Sequence, residues 1–311
     1  MKSAPTFPLG VDVGAVRTRV ALVERDTSGA LRLVAVATRP TGADPGTAIA
    51  AAYAELATRE RRCVLALGPP DAVVRSAAFP AMRRAERARA ARFEASRFVA
   101  YPLHEAAVRV HAGIGERCIV GIARQSALDA RVLAAKRARL RPVAVDDSAF
   151  ALMRAFPYAD AIVDIGERAT VLVLQNDLLP VVQLFPAGGR TFTDAVVASL
   201  GVDDLTAEQR KRTVGLAGAG DHARDTLVEQ LATALIEHRA TARTEPRAIA
   251  LAGNGARLAG LAEALERAVA IPVRLGALPD DVSRTLPSDV VRAASPDWAL
   301  AYGLALWEAV A

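Results

Sequence analysis

Leu9-Gly10-Val11-Asp12-Val13-Gly14-Ala15-Val16-Arg17-Thr18-Arg19-Val20-Ala21-Leu22 is the stretch whose reading decides the fold. An apolar run ends in Asp12, a short turn follows Gly14, and Arg19 to Val23 alternate like a second strand. The stretch therefore reads as a β-hairpin with a carboxylate beside its turn. A near-copy lies at Ala161-Ile162-Val163-Asp164-Ile165-Gly166-Glu167-Arg168-Ala169-Thr170-Val171-Leu172-Val173. Each copy has Asp, an apolar residue and Gly, with Thr four residues beyond the Gly. Two such hairpins predict two related halves that face one another and hold a ligand between their turns.

The chemistry follows from the turn. Consecutive backbone N–H groups in a glycine-containing turn form an anion-binding nest. Asp12 cannot hold an anion, but it can hold Mg²⁺ through water, and the metal can bridge to phosphates. A plain hairpin with an Asx-turn aspartate would account for one copy; Asp, Gly and Thr in register twice favour a site. The glycine spacing is not the dinucleotide fingerprint, which needs a helix directly after the glycines. Two more glycine turns precede helical patterns: Gly188-Gly189 before Ala195–Leu200, and Gly253-Asn254-Gly255-Ala256 before Leu258–Val269. Each is a candidate anion-binding helix end.

The bulk properties set the class. The chain has 311 residues and is 52% hydrophobic, enough for one large or two medium domains. Net charge is +5 and aromatics are only 5%, and a solvated basic surface accounts for a charge of that size. The two cysteines, Cys63 and Cys118, lack metal-site spacing and read as buried thiols. No apolar run is long enough to span a bilayer, and the N-terminus lacks a signal-peptide core. A cytoplasmic protein is expected.

Taken in order, the first 70 residues read β-β-β-α-β, with strands at Leu31–Ala37 and Cys63–Leu67 and a helix at Thr47–Arg61; a mixed sheet with helices packages them. From about 73 to 145 the character changes. Strand-like Val73–Phe79, Ala107–Val110 and Cys118–Ala123 alternate with two arginine-rich helical stretches, Met82–Val99 and Ala127–Leu140. This block reads as a small α+β subdomain inserted between the halves, its basic helices offering a solvated face or a partner surface. Val143–Val145 and the helix Ala149–Ala155 lead to the second hairpin. Asn176-Asp177 turns into a third strand, Pro180–Phe185, repeating the β-β-β order. Helices Thr206–Val214 and Thr226–Thr241, strands Ala248–Leu251 and Ile271–Val273, an irregular Pro279–Ser295 and a closing helix Trp298–Val310 complete the chain.

Together these motifs resemble the actin-like ATPase superfamily and, within it, the PilM family of type IV pilus assembly proteins, relatives of the division protein FtsA. The likeness covers nearly the whole chain. It rests on GVDVG (10–14), FPAMRRAE (79–86), YPLHEA (101–106), VDIGERAT (163–170), FPAGGRTFT (185–193), AEQRK (207–211), LAGNGARLAGL (251–261) and AYGLAL (301–306). The resemblance implies an α/β actin-like ATPase fold: two duplicated domains with mixed five-stranded sheets and a small inserted α+β subdomain. The expected division is 1–72 for the first domain, 73–145 for the insert, and 146–160 with 296–311 returning to the first domain. The second domain takes 161–200 and 248–295, with a small helical subdomain at 201–247.

The resemblance also implies ATP and Mg²⁺ as cofactors. Gly14, Ala15, Val16 and Thr18 would meet the phosphates, and Gly166 and Thr170 would form the second phosphate hairpin. Asp12 and Asp164 would orient the metal and water as the catalytic pair. Gly188 and Gly189 would approach the phosphates, Glu208 and Lys211 the ribose and adenine, and Gly253, Asn254, Gly255 and Arg257 the adenosine. The implied partner is a PilN-like bitopic inner-membrane protein, whose short cytoplasmic N-terminal peptide would bind a groove beside the insert. Association with the inner membrane would then run through that partner, with no nucleic acid involved and a homo-oligomer open. The chain stops just after the closing helix without a membrane helix, the PilM-like rather than FtsA-like ending. The first turn departs from the family, with Ala15 and Val16 where hydroxyls are usual and arginine where a lysine follows. Nucleotide binding is therefore expected more than hydrolysis, making the chain at most a weak ATPase. Two rivals stand: a scaffold that has lost nucleotide binding, and a small-molecule kinase of the same superfamily. The best catalytic candidate for a kinase, Asp146-Asp147, also reads as a helix N-cap pair.

Overall fold

In a computed structural model of the protein, residues 7–112, 116–175, 179–216, 218–241, 246–278 and 295–308 are described. The expected turn at Asn176-Asp177, nearly all of the irregular stretch after Leu278 and the last residues of the closing helix lie outside them.

The first half is built on a five-stranded mixed sheet. Strands β1 (Leu9–Val13), β2 (Arg17–Arg25) and β3 (Leu31–Pro40) form an antiparallel meander. β1 then pairs parallel with β4 (Arg62–Leu67), and β4 with β8 (Arg141–Asp147). β1 is buried throughout, which is why it reads as a continuous apolar run rather than an alternating one. Leu9 and Val11 pack with Ile49 and Leu56 from α1 and its C-cap (α1 is Pro45–Glu55), and with Ala134 and Ala135 of α3 (Gln125–Arg137). α1 ends earlier than its alanine-rich sequence suggests, with Ala57 already at positive φ.

The insert leaves after β4 and returns before α3, so residues 125–145, expected in the insert, instead pack on the first half as α3 and most of β8. Strands β5 (Ala72–Ala78), β6 (Ala106–Ala112) and β7 (Arg117–Arg124) form an antiparallel sheet in the order β5-β7-β6. Helix α2 (Arg84–Ala95) covers one face through Ala91 and Ala95, against Val120 and Ile122. Cys63 and Cys118 are buried and free, and burial pushes the Cys63 thiol up to about 12.

The second half repeats the first. Strands β9 (Ala161–Ile165), β10 (Thr170–Leu174) and β11 (Val181–Phe185) form the meander, and β9 pairs parallel with β12 (Ile249–Ala252), which pairs with β13 (Val273–Leu275). Between β11 and β12 lie α5 (Gly189–Leu200), α6 (Asp204–Val214) and α7 (Asp221–Thr241). α5 begins six residues before the expected Ala195, because Phe192 and Val196, one turn apart, anchor its buried stripe.

One expectation is corrected here. Gly253 to Arg257 does not open a long helix: Asn254–Arg257 is one 3₁₀ turn, Leu258 is extended, and α8 runs Leu261–Val269 after Gly260 at φ +79°. That segment presents no α-helix N-terminus.

Two helices join the halves. α4 (Ser148–Ala155) and α9 (Ser295–Ala305) lie in one core with Ala21, Val23 and Leu33 of the first sheet and Ile162, Val173 and Ala250 of the second. The contact is close. A Cβ on Gly10 would fall 1.8 Å from the Ala301 carbonyl oxygen, and one on Gly303 would fall 1.8 Å from that of Ala151. This shared core sets the two hairpins opposite one another. Among the described residues, no helix is long and apolar enough to cross a membrane.

Candidate functional site

Both hairpins close the same way. The Gly14 N–H donates to the Arg17 carbonyl at 3.0 Å, and the Gly166 N–H donates to the Ala169 carbonyl at 3.0 Å. The turn tips, with Asp12 and Asp164 at their roots, face a cleft of about 510 Å³. Asp12, Gly14, Ala15 and Val16 form one wall, while Asp164, Gly166, Glu208, Gly253 and Asn254 contribute to the others. An overlapping lobe of about 450 Å³ adds Gly189, Lys211, Gly255 and Arg257. Among the described residues, nothing accepts the amide hydrogens of Ala15 and Val16, so the first turn keeps two backbone donors for an anion.

Three expected phosphate contacts lie elsewhere. Thr18 is fully buried, and its hydroxyl bonds that of Thr41 at 3.0 Å, while Thr41 donates to the Gly14 carbonyl at 2.8 Å. Thr170 is likewise buried and donates to the Ala187 carbonyl at 2.7 Å. Each threonine ties its hairpin to the loop beside it. Gly188 is packed under the second hairpin: a Cβ there would meet the Gly166 carbonyl oxygen at 2.6 Å. The first two N-terminal amides of α5 are already taken, with Gly189 donating to the Gly166 carbonyl at 2.9 Å and Arg190 to the Glu167 carbonyl at 2.8 Å. The glycine pair thus has a steric reason of its own, the seating of a hairpin on a helix end.

Glu208 and Lys211 sit one turn apart on α6. The Lys211 ammonium has three donors and three partners: the Gly189 carbonyl at 2.9 Å, the Thr193 hydroxyl at 2.7 Å and Glu208 at 2.6 Å. Arg212 takes the other Glu208 oxygen at 2.9 Å. Despite the opposing pull of burial, these donors hold the Glu208 carboxyl below its usual range. The pair clamps α6 to α5 and presents the clamp to the cleft. Gly253 is glycine for two reasons: its φ is +78°, and a Cβ would fall 2.5 Å from the Asp164 carboxylate.

The register Asp12↔Arg19 in the first hairpin brings a residue that sequence reasoning passed over into the centre of the site. Arg19 Nη1 donates to Asp12 Oδ2 at 3.2 Å, and both side chains are nearly buried. Burial raises the Asp12 carboxyl despite that pairing and the more distant Arg131. Asp164 is pushed up to about 6 by burial and then by the Asp12 charge, with Arg19 pulling the other way. The two carboxylates therefore feel one another across the cleft. The hairpin itself held the signal, since a four-residue Gly14–Arg17 turn sets residue 12 opposite residue 19.

Asp297, in the first turn of α9, was also missed. Its Oδ2 accepts from Arg257 at 2.5 Å, while Oδ1 is buried with no partner among the described residues. Burial raises its carboxyl against the pull of Arg257, Arg19, Arg17 and Arg212. Among the described residues, no group of three or more His, Cys, Asp or Glu side chains could hold a metal ion. A cation here would take Asp12 and Asp164 together with water and ligand oxygens.

A second concavity, of about 260 Å³, lies between the insert and the first half. Val73, Ile122, Leu128 and Val145 make it apolar, and Arg109, Gln125, Asp146 and Asp147 border it. Here the Asp146-Asp147 pair is accounted for. Asp147 caps α4 by accepting the Ala149 N–H at 2.8 Å, and burial pushes its carboxyl to about 6. Asp146 pairs with Arg154, whose Nε donates to the Gly303 carbonyl at 2.9 Å. Neither aspartate lines the cleft, so the residues read as a candidate kinase acid are a helix cap and its neighbour.

With this geometry in hand, the comparisons with known proteins bear directly on it. The family model described as "Type IV pilus assembly protein PilM" matches residues 10–309. The chain belongs to the PilM family. A solved "PilM-PilN type IV pilus biogenesis complex" is 28% identical, with a TM-score of 0.82 over 96% of this chain and 97% of that one. More distant structures share the fold alone. The ethanolamine utilization protein EutJ from Carboxydothermus hydrogenoformans is 15% identical, with a TM-score of 0.60 over 98% of this chain and 91% of that one. The activator of 2-hydroxyisocaproyl-CoA dehydratase from Clostridium difficile, solved with bound ADPNP, is 13% identical, with a TM-score of 0.51 over 97% and 93%. No curated protein matches the sequence. The fold is the actin-like ATPase fold, as the paired hairpins predict.

Proposed function

We propose that this PilM-family chain is a cytoplasmic nucleotide-dependent scaffold. It would bind ATP with Mg²⁺ in the cleft and the N-terminal tail of a PilN-like membrane protein in the groove beside the insert. The observation that carries the nucleotide reading is the pair Asp12 and Asp164, held on opposed hairpins and lining one cleft, where burial and the Asp12 charge raise the Asp164 carboxyl. Two crowded carboxylates beside unsatisfied backbone amides suit a divalent cation and the phosphates it accompanies. Bound there, Mg²⁺ would neutralise charge on the phosphate oxygens. Asp12 and Asp164 would orient it through water, and the Ala15 and Val16 amides would receive the phosphates. Arg257 and Asn254 lie where a nucleoside would extend, beside the Glu208–Lys211 clamp. The first turn lacks side-chain donors at residues 15 and 16, so little is aimed at charge developing on a transferred phosphoryl group. The output of the site is a conformational state with slow turnover at most.

The partner reading is supported by the family, by the 28%-identical PilM in complex with PilN, and by an apolar groove with a few charged groups at its edge, the pattern of a peptide site. Titration calorimetry with Mg-ATP, and separately with a PilN-like N-terminal peptide, tests both parts. Heat for the peptide but none for the nucleotide would leave a scaffold without a nucleotide state. Silence for both would remove the proposal.

A further inference from the structure

The chain's charge is unevenly placed. Residues 73–145 hold fifteen arginines and lysines against five acidic residues, a net +10, so the remainder nets −5. One basic stretch is 83–97, on and around α2, where six arginines meet only Glu86 and Glu94. Glu86 accepts the Arg83 backbone N–H at 3.0 Å, and Glu94 pairs with Arg97 at 2.9 Å. The guanidinium groups of Arg83, Arg84 and Arg89 are exposed and meet no partner among the described residues. On the same outward face, one turn beyond Arg89, stands Phe93, 76% exposed. The buried side of the helix is already used, by Ala91 and Ala95 against the insert's sheet.

We infer that this outward face of α2 rests on anionic phospholipid headgroups, in addition to whatever tail the groove holds. A planar anionic surface needs diffuse positive charge and no matched geometry, which is what unpaired arginines on a convex helix offer. An exposed aromatic one turn from Arg89 has somewhere to go, the interfacial zone, where aromatic rings are favoured. A folded acidic protein would call for a concavity or an ordered set of pairs, and none of the clefts described above includes an α2 residue. The placement is also geometrically compatible with the groove. Along β6 and β7, Val108 and Val120 pack toward α2, while the alternate residues Ala107, Arg109, Gly121 and Ala123 line the groove. The lipid face and the groove are thus on opposite sides of one sheet and do not compete. That the groove holds a membrane protein's tail rests on the proposed function; the lipid contact does not require it.

The test is co-sedimentation of the full chain alone with phosphatidylglycerol/phosphatidylethanolamine vesicles and with pure phosphatidylcholine vesicles. Binding is expected to the anionic vesicles only, and to be lost at about 1 M salt, where the screening length falls to about 3 Å. Arg83→Glu with Arg89→Glu removes two cations and adds two anions away from the buried Ala91–Ala95 stripe; at roughly fivefold per unit of charge, binding should fall at least 100-fold. Phe93→Ala should weaken it less, and the Arg137→Glu control on α3 should leave it near wild type. Circular dichroism checks that each variant is folded. No binding to anionic vesicles, equal loss in the α3 control, or capture of an acidic protein by α2 without vesicle binding would overturn the inference. Titrating the tail peptide into the same α2 variants separates the two readings. Lost peptide binding by the wild-type chain with vesicle binding intact would remove the groove reading and leave this one standing.

Discussion

Asp164→Asn is expected to make the ligand-free protein more stable, and the gain has a calculable size and pH dependence. The wild-type carboxyl titrates at about 6 in the folded chain against an ordinary value of 3.8. A carboxyl raised on folding favours the native state while protonated, so that contribution is present below about pH 4 and lost as pH rises through 6. At pH 8 the charged side chain therefore costs the fold up to about 3 kcal/mol, at about 1.4 kcal/mol per unit. Solvent screening at the cleft brings a realistic figure nearer 1.5–3 kcal/mol. Asparagine keeps the shape and removes the charge. With an unfolding entropy of about 2 cal/mol/K per residue over 311 residues, the melting temperature should rise by roughly 2–5 °C at pH 8. The gain should shrink toward zero near pH 4. Differential scanning calorimetry across that range is the assay, with Mg-ATP scans alongside, in which the variant should lose the ligand-induced shift of the wild type. A variant less stable than wild type at pH 8, or a gain that does not vary with pH, would refute the account of Asp164 as a carboxyl raised by burial and by the Asp12 charge.

Arg19→Met should destabilise the ligand-free chain by about 3 kcal/mol, less whatever Asp12 recovers by protonation, because it strands a buried carboxylate; Mg²⁺ alone should then raise the melting temperature more than in wild type, and an equal or smaller rise counts against the ion pair as a stand-in for a metal. Gly303→Ala forces a Cβ onto the Ala151 carbonyl, so a loss of about 3 kcal/mol or more is expected by thermal unfolding; an unchanged melting temperature would deny the close contact of α9 with α4. Arg154→Met removes the bonds to both Asp146 and Gly303. Tail-peptide affinity measured with and without nucleotide should then become equal, and an undiminished ratio would mean the coupling runs elsewhere.

Much of this molecule is legible in its sequence because the hairpins are local. Their strands alternate or run apolar according to which faces are covered, and the Asp–Gly pattern recurs where the chain repeats itself. What escaped reading is what depends on register and on long-range contact. Thr18 and Thr170 occupy equivalent positions, and a linear pattern cannot tell a hydroxyl turned to a ligand from one turned to Thr41 or Ala187. The Gly188-Gly189 pair looks like an anion site because steric and ligand-binding glycines carry the same letter. Asp297 reads as an ordinary first-turn acid of a helix, and only the folded chain shows one of its oxygens buried and unmatched. α5 starts earlier than the sequence suggests because Pro186 to Asp194 reads as a glycine-rich turn until Phe192 is seen packing with Val196.

The contact of Arg154 with the Gly303 carbonyl has a mechanical consequence. α9 begins at the cleft, where the Pro296 carbonyl accepts from Gly253 and Asp297 faces the cavity. About six residues on, or roughly 9 Å at 1.5 Å per residue, the same helix is gripped by a guanidinium whose other end holds Asp146 at the rim of the groove. α9 is thus a short stiff rod pinned at both ends, with no slack between hairpins and groove, since Gly10 and Gly303 leave no gap along its flank. If a ligand in the cleft displaced one end, the rod would carry the movement toward the other, and by reciprocity whatever fills the groove would then bias the cleft by the same free energy.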